Sequence, residues 1–104
     1  GWSTNLSAAL TAAREHKQPV LLYFTAEWCG PCKMMAPILQ QVKSDLADNV
    51  TIIKVDVDKN PQAAQAYQIQ GVPTLMLFQN GEMKWRQSGV IPANAIKNVI
   101  AQLS

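Results

Sequence analysis

A continuous apolar run near the start of the chain limits the fold most strongly. The segment Val20-Leu21-Leu22-Tyr23-Phe24 shows no alternation of polar and apolar side chains. The strand that it predicts must therefore be covered on both faces by other elements. An apolar helical pattern at Leu6, Leu10 and Ala13 precedes it and ends at Pro19, and helical spacing resumes further along the chain. A strand buried between helices is typical of an α/β fold.

The remaining helices are predicted from the spacing of apolar residues. After the apolar run, the pattern consists of Met35, Ile38, Leu39, Val42 and Leu46. Pro37 lies inside this pattern and predicts a kink there. A short helix is expected from about Pro61 to Tyr67, and Pro92 can open a last helix.

Three further strands complete the predicted sheet. Thr51 to Val57 is β-branched and alternating, and a helical crossover joins it to the first strand, so that this pair is parallel. Leu75–Phe78 and Met83–Trp85 flank Asn80-Gly81, a dipeptide favoured in type I′ hairpins. We therefore predict one domain over residues 1–104, with a mixed sheet of about four strands and helices on both faces.

Composition excludes several classes of function. The net charge is only +2 and the nine Lys and Arg residues are scattered, so a nucleic acid is not an expected partner. The longest apolar run is too short to span a membrane. No leader peptide is visible, and the cytoplasm is the favoured compartment. Because the chain begins with Gly1, a removed leader would instead indicate the periplasm or secretion.

The chain has two cysteines, Cys29 and Cys32, within Trp28-Cys29-Gly30-Pro31-Cys32. At this separation they cannot join distant parts of a fold, and beside a βαβ pattern such a pair indicates redox chemistry. One alternative is an inert disulfide and another is half of a zinc site. A zinc site needs about four ligands, and the other candidate of this type, His16, is far away in the sequence. No metal is therefore expected.

The cysteines lie where a strand gives way to a helix, and unpaired N–H groups at a helix N-terminus favour a thiolate. We expect Cys29 to be the exposed cysteine and the attacking nucleophile. Cys32, one turn inside the helix, would resolve the mixed disulfide. Pro31 restricts the turn and Gly30 allows a partner backbone to approach. Lys33 either tunes the thiolate by its charge or is simply solvated.

The run from Ala26 to Lys33, followed by Met34-Met35-Ala36-Pro37, resembles the active-site signature of the thioredoxin family. The similarity continues through Asp56-Val57-Asp58, Gly71-Val72-Pro73-Thr74, Phe78-Gln79-Asn80-Gly81 and Gly89. It implies the thioredoxin fold, with a central mixed sheet of four to five strands. It also implies a protein-disulfide reductase that acts in electron transport and cell redox homeostasis.

The same resemblance implies roles for single residues and partners. Pro73 would be a cis-proline facing the dithiol, and Val72 would present its backbone to a bound substrate strand. The apolar docking surface would consist of Trp28, Gly30, Pro31, Val72, Pro73 and Gly89. Thioredoxin reductase would regenerate the dithiol with NADPH, so no cofactor is expected on this chain. Protein disulfides would be the substrates, and the chain would be a monomer.

Two residues depart from the family pattern. Thioredoxins usually carry a buried Asp at the position of Tyr23 and a Trp at that of Thr25, whereas the Lys that accompanies the Asp is present as Lys54. The resemblance implies that such an Asp takes the proton of the second cysteine, and a phenol is a poor base at neutral pH. We therefore predict slower resolution by Cys32. The alternative is that Tyr23 only packs the core and a water molecule carries the proton.

Two other functions stay open. A thiol oxidant or isomerase outside the cytoplasm would share this fold, although Gly30-Pro31 between the cysteines is the reducing type in this family. A non-catalytic binding module in a larger assembly is the second alternative, and it would not require an intact Trp-Cys-Gly-Pro-Cys motif.

Overall fold

The computed structural model describes the backbone of Trp2 and Ser3 and residues 18 to 103. The helix predicted at Leu6 and Leu10, and His16, lie outside the described residues. The strands are β1 (Trp2–Ser3), β2 (Val20–Thr25), β3 (Thr51–Asp56), β4 (Thr74–Gln79) and β5 (Glu82–Ser88). The helices are α1 (Gly30–Leu46), α2 (Pro61–Ala66) and α3 (Ala93–Leu103), with a 3₁₀ turn at Ala47–Asn49.

The strands form one mixed five-stranded sheet in the order β1-β3-β2-β4-β5. β3 is parallel to both β1 and β2, whereas β4 is antiparallel to β2 and to β5. The predicted mixed sheet is thus confirmed. β1, which pairs Trp2 with Ile52, was not predicted, because two residues are too few to show a periodic pattern.

Helices cover both faces of the sheet, as the apolar run predicts. Every residue of β2 is buried. Leu21 and Tyr23 belong to the core cluster beneath α1 and α3, together with Leu39 and Ile96. Leu22 and Phe24 point to the opposite cluster, against which Ala63 of α2 packs. Alternate residues of one strand therefore fill two cores, and this double burial fixes the strand's position in the centre of the sheet.

The sequence predicts a kink at Pro37 and a tight hairpin turn at Asn80-Gly81. α1 continues through Pro37 to Leu46, so the proline does not end the helix, and a kink there stays a prediction. The hairpin between β4 and β5 has positive φ at Asn80 (55°) and Gly81 (83°), as a type I′ turn requires. The hairpin prediction is confirmed.

Candidate active site

The dithiol motif forms the N-terminus of α1. Cys29 is the N-cap residue, with extended backbone (φ −90°, ψ 112°). Its Sγ accepts the backbone N–H of Cys32 at 3.1 Å. Pro31 lies between them and has no N–H to offer, so the N–H of Cys32 is the one available to the cap. The first turn of the helix thus donates a hydrogen bond to the sulfur of Cys29, a position where N–H groups stabilise negative charge.

Cys29 and Cys32 are joined by a disulfide, with their Cα atoms 5.3 Å apart. Each cysteine is only 3% exposed, so the expectation that Cys29 is the exposed one is wrong for this oxidised form. The reason is local packing, because Ala26 and both cysteines form a small buried cluster against which Val57 and Val72 pack. Beside the disulfide, Gly30 and Pro31 are exposed, as is the indole of Trp28, at 71%.

The loop before β4 lies directly against the disulfide. The Val72–Pro73 peptide bond is cis, as the family resemblance implies. The carbonyl oxygen of Val72 is 3.6 Å from Cys29 Sγ, a contact that becomes a weak hydrogen bond when the sulfur carries a proton. Gly89 donates its N–H to the Pro73 carbonyl at 2.9 Å. The structure therefore brings Cys29, Val72, Pro73 and Gly89 together, although 60 positions separate 29 from 89 in the sequence.

Trp28 is held by the turn that follows β3. Its Nε1 donates to Asp58 Oδ2 at 2.7 Å. Asp56 shapes this turn, because its Oδ1 accepts the backbone N–H of Asp58 at 2.9 Å and that of Lys59 at 3.2 Å. Sequence reasoning noted Asp56 and Asp58 as part of a family pattern but missed this role. The indole is thus both exposed and oriented, which suits a group that contacts a partner.

Tyr23 lies directly behind the dithiol. Its hydroxyl is 2.8 Å from the Cys32 carbonyl oxygen and 3.1 Å from Thr25 Oγ1. A carbonyl can only accept, so the single phenol proton is donated to Cys32, and the Thr25 hydroxyl must donate to the phenol oxygen. Burial raises the pKa of Tyr23 above its ordinary value of 10.0, and the hydrogen bond with Thr25 lowers it by a smaller amount. The phenol is therefore neutral at neutral pH and is not a base.

A cleft of about 830 Å³ opens beside this group, between α1 and the ends of β2 and β3. Lys54 is opposite Tyr23 in the β2–β3 register, and both residues line the cleft together with Cys32 and Lys33. Lys54 and Lys33 are exposed. Glu27 is exposed as well and pairs with Lys59 at 3.3 Å, as expected of a carboxylate that faces solvent. Charged side chains thus line the cleft that leads to Cys32, and the neutral phenol of Tyr23 lies at the inner end of this cleft.

Among residues 18–103 no group of three or more His, Cys, Asp or Glu side chains could hold a metal ion. No helix within that range is both long and apolar enough to cross a membrane.

A family model and several known proteins match most of this chain. A family model described as Thioredoxin matches residues 4–102. Thioredoxin 1 of Chlorobaculum tepidum is 44% identical over 87 residues, covering 84% of this chain and 86% of that protein. A thioredoxin-like protein of Synechocystis is 53% identical over 73 residues, 70% of each chain.

Solved structures have the same fold. Chloroplastic thioredoxin z superposes with a TM-score of 0.84 at 30% identity, covering 98% of this chain and 91% of that one. A mutant thioredoxin from Halobacterium salinarum superposes with a TM-score of 0.83 at 32% identity, covering 98% and 88%.

Proposed function

Because this chain belongs to the thioredoxin family, in which a cysteine pair exchanges with disulfides, we propose that it reduces protein disulfides by attack from Cys29. The chain is a thioredoxin-like disulfide oxidoreductase, and dithiol–disulfide exchange is its chemistry. The observation that carries our proposal is the position of Cys29 as N-cap, where its sulfur accepts the Cys32 N–H at 3.1 Å. A thiolate in that place is stabilised without a neighbouring cation.

The proposed reaction has two steps. The Cys29 thiolate attacks one sulfur of a substrate disulfide, forms a mixed disulfide and releases the other sulfur as a thiolate that takes up a proton. Cys32 then loses its proton and attacks Cys29 Sγ. The second substrate sulfur leaves as a thiolate and takes up a proton. The two electrons that reduce the substrate come from the dithiol, which is oxidised to the Cys29–Cys32 disulfide. The Cα separation of 5.3 Å supports this last step, because it lies within the usual range for a disulfide.

We assign the docking surface for substrates to Trp28, Val72, Pro73 and Gly89, with Gly30 and Pro31 beside them. Support comes from the contact of Val72 O with Cys29 Sγ and from the exposed, oriented indole of Trp28. No heavy atom lies within 4 Å of a Cβ built on Gly30 or Gly89, which leaves room for a partner's backbone. Pro31, Lys33, Tyr23 and Lys54 would tune the reactivity of the pair.

The substrates would be protein disulfides, and thioredoxin reductase, with NADPH, would regenerate the dithiol, so that this chain binds no cofactor itself. Residues 1–104 would form one domain that acts as a monomer without a nucleic acid or membrane partner. We propose the cytoplasm as its compartment, because a disulfide reductase needs a steady supply of reducing equivalents.

The test is a pair of serine variants assayed with a protein disulfide and a reducing system. Cys29→Ser should abolish reduction, since it removes the attacking sulfur. Cys32→Ser should still attack, and it should accumulate covalent adducts with substrate that a thiol reagent releases. Activity retained in Cys29→Ser would contradict the assignment.

The equilibrium potential of the cysteine pair against glutathione tests the direction of the reaction. A potential near those of the cytosolic reductants is expected, and a much more oxidising one would contradict the reductase assignment.

A further inference from the structure

Arg86 of β5 makes an unusual connection to the far end of α2. Its Nη1 donates to the carbonyl of Tyr67 at 2.6 Å and its Nη2 donates to the carbonyl of Gln68 at 2.8 Å. One planar guanidinium thus binds two consecutive backbone carbonyls that lie 19 and 18 residues away in the sequence. A lysine could not do this with the same geometry, because its ammonium is a single point charge.

The end of α2 needs such a donor. α2 covers only Pro61–Ala66, and Tyr67 is its C-cap residue. The last carbonyls of a helix have no partner within the helix and carry partial negative charge. Gln68 has a positive φ of 54°, which turns the chain away from the helix axis. Arg86 therefore supplies charge-assisted hydrogen bonds at the point where the chain leaves α2 towards the docking surface.

The segment from Tyr67 to Pro73 is held at both ends by β5. At its start, beside the Arg86 bonds, the Tyr67 ring lies 5.8 Å from the rings of both Phe24 and Phe78. At its end, the Thr74 hydroxyl bonds the Gly71 carbonyl at 2.6 Å and Ser88 Oγ at 2.9 Å. Gly89 binds the Pro73 carbonyl. Gln70 lies between these anchors and is exposed.

We propose that Arg86 is a positioning residue for protein substrates, because it holds the chain segment that carries Val72. This inference rests on the docking surface of the proposed function. Val72 follows Gln68 by four residues, so the Arg86 bonds limit how far its backbone can move. An extended substrate segment that pairs with this backbone would otherwise have to order it on binding, and such ordering weakens affinity. A small disulfide needs only Cys29 and bears no such cost.

The experiment compares two substrates. With insulin as the protein disulfide, Arg86→Ala should raise KM about fivefold and leave kcat nearly unchanged, because the lost interaction concerns binding. With a small aromatic disulfide, the rate of attack should match the wild type. Arg86→Lys keeps a cation that can bond one carbonyl, so its KM for insulin should lie between those of the wild type and of Arg86→Ala. Amide hydrogen exchange at residues 69–72 should be faster in Arg86→Ala.

Lys84→Ala is the matched control. Lys84 is an exposed cation on the same strand, but it pairs with Glu82 at 3.0 Å. The KM of the Lys84→Ala variant for insulin should stay at the wild-type value. The inference is overturned if Arg86→Ala lowers thermal stability without changing KM, or if it slows both substrates equally. If the wild type itself does not reduce insulin, the proposed function is wrong, and the inference, which rests on it, is wrong as well.

Discussion

Replacement of Tyr23 by aspartate should accelerate the second step of disulfide exchange. In the wild type the phenol is neutral, since burial raises its pKa above 10.0, and its proton is donated to the Cys32 carbonyl. It therefore cannot accept the proton that Cys32 must lose. An aspartate would place a carboxylate behind Cys32. Burial would raise the pKa of that carboxylate towards neutrality, which suits a general base.

The expected gain in resolution rate is about tenfold, below the roughly 10²–10⁴-fold that a positioned base supplies. The gain is smaller because Cys32 lines a cleft of about 830 Å³, large enough for water to carry part of the proton transfer already. The variant should also be less stable. Tyr23 is 2% exposed, and loss of a buried aromatic ring costs about 3–5 kcal/mol.

A stopped-flow experiment with a symmetrical aromatic disulfide separates the two steps. Attack by Cys29 releases the first coloured thiol, and attack by Cys32 on the mixed disulfide releases the second. Tyr23→Asp should accelerate the second phase alone, with the gain lost at pH values below the pKa of the new carboxylate.

Tyr23→Phe is the control for this experiment. It keeps the ring but removes the hydrogen bond from the phenol to the Cys32 carbonyl, which should cost about 0.5–1.5 kcal/mol of stability with no gain in rate. If the second phase of Tyr23→Asp has the wild-type rate and pH profile, the reasoning is refuted.

Two further substitutions test stability. The hydrogen bond from Lys97, 2.6 Å from Asp45, is the largest cause that lowers the pKa of Asp45. The hydrogen bond with Lys97 therefore stabilises the fold at pH values above the ordinary Asp pKa. This stabilisation is lost as the pH falls through the lowered pKa of Asp45. Asp45→Asn should flatten the acid side of the stability curve in urea titrations, and an unchanged acid profile would contradict this. Gly89 has φ +99° with open space around it, so Gly89→Ala should cost about 1–3 kcal/mol from backbone strain alone. Equal urea midpoints for the two proteins would argue against that strain.

The elements that sequence alone predicted are those with a distinctive local sequence pattern. β2 was recognisable because all its side chains are apolar or aromatic up to Phe24, and burial on both faces requires such a run. The β4–β5 hairpin was recognisable because Asn80-Gly81 suits positive φ. The thioredoxin fold and the exchange chemistry followed from the cysteine motif and the family resemblance. β1 has two residues and offers no such pattern.

The contacts around the site could not be predicted in the same way. The bond from Tyr23 to the Cys32 carbonyl and the bond from Arg86 to Tyr67 both join elements whose approach depends on core packing. The burial of Cys29 is similar, because Val72 covers it from a segment 43 residues away. Residue type shows which chemistry is available, but distances between elements decide which groups meet.

The position of β5 at the margin of the sheet has a consequence for solubility. An unpaired strand margin can join a second chain by backbone pairing, and such pairing leads to aggregates. β5 carries Glu82, Lys84 and Arg86 along its exposed length, and charged side chains oppose this association. Under the proposed function, extended substrate segments would pair at Val72, whereas the charges of β5 would discourage the same kind of contact at the edge strand. The charges on that strand would therefore disfavour edge-to-edge assembly of two copies of the sheet, the kind of pairing that leads to fibrils.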